Sequence, residues 1–167
     1  TALERLELRG RANVRSSNGT LREMRADEAT LLFEQTTRQP EGTILVGHAR
    51  IELAGHDAEQ GSQIDASTMD IALTPSGRDV MALDATGGVT LRLPKREENP
   101  EQHIRAAVLT GTGTPQIGLT TLRFDHDVEY HESLRAPRSG ASHQMRVVKA
   151  ERLEAGVEPG LSALPLA

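Results

Sequence analysis

The sequence predicts an all-β chain built as a stack of bent antiparallel strands, and three observations predict it. First, two short phrases alternate along the chain. One is an aliphatic residue, a polar residue and an alanine: Met24-Arg25-Ala26, Ile64-Asp65-Ala66, Ile104-Arg105-Ala106 and Val148-Lys149-Ala150, with alanines 40, 40 and 44 residues apart. The other runs through Gly10, Gly47, Gly87 and His126, spaced 37, 40 and 39 residues apart. Self-similarity at a fixed period marks units that bury a face against their neighbours. Second, apolar residues alternate with period two, the strand signature. Third, the alternation slips by one residue in each alanine phrase, which a bulge or strand corner produces.

Taken in order, eight strands are expected, at 3–15, 21–34, 43–54, 63–74, 79–93, 102–110, 118–131 and 143–155, in a single domain over 1–167. In the first, Leu6, Leu8, Ala12 and Val14 share a face opposite Arg9 and Arg11. The second carries Met24 and Ala26 on even positions, then Ala29, Leu31 and Phe33 on odd ones. The third aligns Leu45, Ala49, Ile51 and Leu53 against Arg50 and Glu52. The fourth repeats the slip, from Ile64 and Ala66 to Met69, Ile71 and Leu73. In the fifth, Leu83, Ala85, Val89, Leu91 and Leu93 oppose Thr90 and Arg92. The sixth slips between Ala106 and Leu109. The seventh sets Leu122, Phe124, Val128 and Tyr130 against Asp127 and Glu129. The eighth slips between Ala150 and Leu153, and only here, over 148–155, does a helix compete. One dry and one wet face per strand is the pattern of an antiparallel sheet. Clusters of Gly, Pro and Asp separate the strands, as at Gln39-Pro40-Glu41-Gly42 and Pro75-Ser76-Gly77-Arg78-Asp79.

Composition narrows the function. Aromatic residues are 2% of the chain, too few for the stacking platforms on which nucleic acids and sugars rest. A net charge of −5 argues against a polyanion-binding surface, so no nucleic-acid partner is expected. Without cysteine there is neither a disulfide framework nor a thiolate metal site. No apolar run approaches the roughly 20 residues of a membrane span. The chain begins at Thr1 rather than Met, and it is expected to be a fragment of something longer, with an export signal or anchor upstream.

No catalytic constellation is expected. The densest polar cluster is Asp125-His126-Asp127 with His131 and Glu132. His126 and His131 differ by five, so on a regular strand they face opposite sides and cannot share an ion. His126 also occupies the slot of Gly47 and Gly87, which reads as structural. Gly111-Thr112-Gly113 opens like a phosphate loop but lacks its lysine and following helix, and is read as a hairpin loop. Lys95-Arg96-Glu97-Glu98 reads as a solvated turn. Neither metal nor cofactor nor enzymatic activity is expected.

The two alternating phrases, most clearly in 61–71 and 80–91, resemble the periplasmic lipopolysaccharide-transport family of LptA, LptC and the OstA-like amino-terminal domain of LptD. The resemblance covers about 3–155 and rests on a pattern across repeats. It implies a repetitive antiparallel β-jellyroll, folded like a taco and open at its seam. It further implies a non-enzymatic protein in the periplasm of a diderm bacterium, tethered to the inner membrane by a segment outside this chain. Such a protein holds lipopolysaccharide or a related glycolipid by its acyl chains and bridges to other jellyrolls of the pathway, or to copies of itself, by β-strand augmentation. The chain departs from LptA in showing no signal peptide and from LptC in showing no membrane helix.

On that reading the apolar face is a lipid-binding trough. Its expected lining is Leu8, Ala12, Val14, Leu45, Ala49, Ile51, Ala66, Met69, Ile71, Leu83, Ala85, Val89, Leu91, Ala106, Leu109, Phe124, Val128 and Tyr130. Small residues on it (Ala12, Ala49, Ala66, Gly87, Ala106) would leave room for chains, each buried CH₂ contributing roughly 0.8 kcal/mol. Two rivals stand beside it: a structural β-solenoid or filament protein with a self-packed core and no lipid, and a carbohydrate-active β-helix enzyme, which the shortage of aromatics disfavours. The terminal strands carry no capping repeat, so their edges are expected to dock onto another sheet.

Overall fold

A computed structural model describes residues 3–17, 19–54, 61–94, 100–134 and 144–157. The turns expected around Gly55-His56-Asp57, Lys95 to Glu98, Ala136 to Gly140 and Glu158-Pro159-Gly160 lie outside the described residues, wholly or in large part.

Eight strands form one sheet in chain order, β1 (Arg5–Arg15), β2 (Leu21–Phe33), β3 (Pro40–Leu53), β4 (Ser62–Leu73), β5 (Val80–Leu93), β6 (Gln102–Thr114), β7 (Gly118–Leu134) and β8 (Gln144–Gly156). Every neighbour pair is antiparallel. The fold is therefore the expected all-β, jellyroll-like antiparallel sheet, and it is open: β1 and β8 each pair on one side only.

Residues 148–155 belong to the expected eighth strand, and the competing helix does not form. One sequence expectation is corrected. Gly111-Thr112-Gly113 is not a loop but the end of β6, and the turn falls at 115–117. The reason is steric. Gly111 faces inward, where a Cβ would stand 2.9 Å from the Leu119 side chain and 3.3 Å from Leu83, and a Cβ at Gly113 would overlap the Gly118 carbonyl. Close backbone approach, not a phosphate, accounts for these glycines. β3 also starts earlier than expected, at Pro40, because a proline is tolerated as the first residue of a strand.

Each ladder changes register near its middle, at Arg9/Ala12, Val46/Ala49, Thr86/Val89 and Asp125/Val128 on the odd strands. There the odd strands carry consecutive left-handed residues: Gly10-Arg11, Gly47-His48, Gly87-Gly88 and His126-Asp127, all with φ between 48° and 83°. The even strands make the same corner with the one-residue parity slip, keeping Met24 and Ala26 and then Ala29 and Leu31 buried. His126, at φ 67°, does occupy the glycine slot of the other repeats.

The corner explains how a single sheet has a core. One face is almost wholly excluded from solvent through β3–β7, and the described residues contain no helix or second sheet to cover it. The sheet covers itself: the row of corners divides every strand, and the two halves fold together as walls around one apolar cluster. Small residues line the inner side of the bend, opposing one another as Ala12–Ala26, Ala49–Ala66, Val89–Ala106 and Val128–Ala150. Larger ones fill the interior further out, in cross-strand rows such as Leu45–Met69 and Leu109–Phe124 on one wall and Ile51–Ile64 and Leu91–Ile104 on the other.

Candidate functional site

All eighteen trough residues expected from the sequence lie on the inner face. Leu45, Ala49, Ile51, Met69, Ile71, Leu83, Ala85, Val89, Leu91, Leu109, Phe124 and Val128 are essentially inaccessible. Ala12, Ala66, Ala106 and Tyr130 are buried at the inner side of the bend or near the outer rim, and Leu8 and Val14 are partly buried. Gly87 is the exception among the small residues assigned to that face. It is exposed on the outside of the corner, where its left-handed backbone accepts a hydrogen bond from the Ser67 hydroxyl. Burial of burial-equivalent Ile64, Ile104 and Leu122 adds them to the lining; Ile64 and Ile104 were legible as the aliphatic heads of the alanine phrases.

Accessibility along this face is not uniform. In the middle strands the walls touch. At the β1 end Leu6 is 39% exposed on the wall formed by residues 5–9, and at the β8 end Val148 is 46% exposed on the opposite wall. The other half of each terminal strand is better covered: Ala12 in β1, and Ala155 with the following Val157 at the end of β8, are buried. Solvent thus reaches one wall at the β1 end and the other wall at the β8 end. The inner face reaches solvent at both edges of the sheet.

Among the described residues one buried side-chain polar atom lacks a partner. Thr43, 1% exposed, lies in register with Leu31 and Ile71, and its hydroxyl has no hydrogen-bond partner.

The outer face carries the charges. Asp125 accepts from Arg152 at 2.6 Å and Arg123 at 2.8 Å, and the Arg152 bond is the main reason its carboxyl sits below the usual range. Glu129 is held low by a hydrogen bond from His131 and by Lys149. Burial pushes Glu101 up, but Arg92 and His103 together outweigh it and its pKa is lowered. A shallow groove runs along the outside of the corner past His48, Arg50 and Asp65. Its arginines are already neutralised, Arg50 by Asp65 at 2.6 Å and Arg25 by Glu23 at 2.9 Å, so it presents no unpaired cation to an anion.

The histidine expectation needs correction in its reason. His126 and His131 do not point to opposite faces of the sheet, because the left-handed corner lies between Phe124 and Val128. Both are outside the core, with separate partners: His126 meets Glu151 at 2.8 Å and His131 meets Glu129 at 3.2 Å. Among the described residues no three His, Asp or Glu side chains converge as a ready metal cage. Nor is any described helix long and apolar enough to cross a membrane. No family model, curated protein or solved structure matches the chain.

Proposed function

We propose that this protein is a non-enzymatic lipid conduit, acting in the periplasm of a diderm bacterium and tethered there by a segment outside the chain. It holds the acyl chains of lipopolysaccharide or a related glycolipid against the inner face of the folded sheet. The observation that carries this reading is the continuity of that face: it is apolar across all eight strands and opens to solvent at both unpaired edges. An acyl chain entering at Leu6 or Val148 meets mostly aliphatic side chains. To pass the middle it must part the walls, exchanging side-chain contacts for contacts of the same apolar kind, while the hydrogen bonds of the ladder stay intact.

The edges supply the bridge to other jellyrolls or to a second copy. Among the described residues, backbone donors and acceptors on the outer side of β1 and β8 have no strand to pair with, which favours β-augmentation. The exposed apolar residues at the two ends, Leu6 and Val148, suit this, since a docked strand would cover them.

The near-complete burial of Leu45, Ile51 and Phe124 favours a second reading, a structural β-protein whose walls never part. Incubating the full chain with lipopolysaccharide, re-isolating it by gel filtration and weighing the bound lipid by mass spectrometry separates the two. The conduit carries lipid through the column in stoichiometric amount. A self-packed protein emerges bare.

A further inference from the structure

The described histidines that face each other are not the pair the sequence spacing singles out. His103 on β6 and His131 on β7 are directly opposed in antiparallel register. Both point to the outer face, since Ile104 and Tyr130 beside them point inward and are buried. Directly opposed residues have Cβ atoms about 4.5–5.5 Å apart. Two imidazoles can close that gap on one ion, at metal–nitrogen distances of about 2.0–2.1 Å for zinc.

Each ring is already held by a carboxylate on its own strand. Nε2 of His103 lies 3.0 Å from Glu101 Oε1, and Nε2 of His131 lies 3.2 Å from Glu129 Oε2. A carboxylate acceptor places the proton on Nε2 and leaves the lone pair on Nδ1. The carboxylates are fixed in turn, Glu101 by Arg92 at 2.8 Å and Glu129 by Lys149 at 3.4 Å. A ring nitrogen directed at the ion while the other donates to a carboxylate is how metal-binding histidines are held. His48 and His126 lack this arrangement. They engage their carboxylates through Nδ1, at the corners, and neither has a histidine opposite it.

We propose that His103 and His131 bind a divalent transition-metal ion of the zinc type through Nδ1 of each ring, with Glu101 and Glu129 as positioning residues. The chain supplies two ligands, and the remaining coordination positions are open to water or to a group from another molecule. This site is independent of the lipid reading, since it lies on the opposite face of the sheet.

Titration calorimetry with zinc chloride alone, in a non-chelating buffer near neutral pH, tests it on the full chain. One saturable equivalent is expected. His103→Ala and His131→Ala should each weaken binding at least about tenfold, and Glu101→Gln or Glu129→Gln about 10–100-fold. His48→Ala and His126→Ala should leave it unchanged. A second readout, independent of how any variant folds, is the imidazole Cε1–H resonances of the unaltered chain: those of His103 and His131 should shift together as zinc is added. Absence of saturable binding at millimolar zinc, binding that survives both alanine changes in folded protein, or shifts confined to other histidines would each overturn the proposal.

Discussion

The Ser67 hydroxyl donates to the carbonyl oxygen of Gly87 at 2.7 Å, across the corner between β4 and β5. The same closeness forbids a side chain at Gly87, where a Cβ would lie 2.5 Å from both Cβ and Oγ of Ser67. Gly47 stands in the same relation to Asp27. In the last repeat the slot holds His126, and the register gap opposite it contains Ala107, the smallest side chain of the set. The corner thus tolerates a side chain on one strand where the neighbouring strand provides a small one.

Gly87→Ala is therefore expected to destabilise the fold by more than about 2 kcal/mol, combining the clash with the left-handed cost of about 1–2 kcal/mol. Gly88→Ala, with nothing within 4 Å of its added Cβ, should show the left-handed cost alone. Adding Ser67→Gly should rescue most of the excess at Gly87 and nothing at Gly88. Urea midpoints of the four proteins decide it.

Thr43 leaves a hydroxyl unpaired in the core. Replacing it with the near-isosteric valine removes a desolvated donor and acceptor, an arrangement that costs about 1–3 kcal/mol. Thr43→Val should raise stability by about 1 kcal/mol, read as a higher denaturation midpoint at unchanged slope.

The small residues inside the bend yield a third test. If the walls meet there, Ala49→Leu and Ala66→Leu overpack the apex and cost about 1–3 kcal/mol each. A bend held open for acyl chains, as the sequence reading of these alanines supposed, would absorb the leucines with little loss. Thermal unfolding of lipid-free protein distinguishes the outcomes.

Acid should unfold the protein through identifiable groups. Glu34 accepts from the Thr36 and Thr37 amides and the Thr37 hydroxyl in the β2–β3 turn, and its pKa falls from 4.5 to about 2, chiefly through the Thr37 amide. A carboxyl depressed in the folded state contributes fully above its ordinary pKa of 4.5, and that contribution is lost as pH falls towards 2. Asp125 and Glu23, lowered mainly by Arg152 and Arg25 respectively, act in the same direction. Glu34→Gln should flatten the fall in stability between about pH 5 and 2, seen in denaturation midpoints measured across that range.

Edge docking makes a prediction at β1. The Glu4 carbonyl accepts from Phe33 on β2, so backbone groups two residues apart point the same way and those of Glu7 and Arg9 point to the free edge. Glu7→Pro or Arg9→Pro then removes a free-edge donor while sparing the β1–β2 ladder, and should reduce self-association in a light-scattering concentration series where Glu7→Ala does not. Association indifferent to both prolines would contradict docking through this edge.

The strands were legible because the pattern that defines them, dry and wet residues at period two, is written in single residues such as Leu83, Ala85 and Asp84. The corner was legible as a parity slip at Ala26 and Ala66, but its other half was not: Arg11 carries no propensity signal for the left-handed backbone it adopts, and the enrichment of His and Asp there is too weak to mark His48 and Asp127. Gly111 looked like loop chemistry because a glycine needed for backbone contact is indistinguishable, in sequence, from one needed for a turn. The His103–His131 opposition was invisible for a different reason. It depends on the register of β6 against β7, which is set by the turn at 115–117 and by Ala107 and His126 at the corner, not by any spacing along the chain.

The central claim is that acyl chains touch the inner face and not the outer one. A photo-crosslinking residue at Val89, inside, and another at Thr90, outside on the same strand, tests it with lipopolysaccharide added to the purified chain. Strong labelling is expected from Val89 and almost none from Thr90. Equal labelling from both positions, or none from Val89, would contradict it.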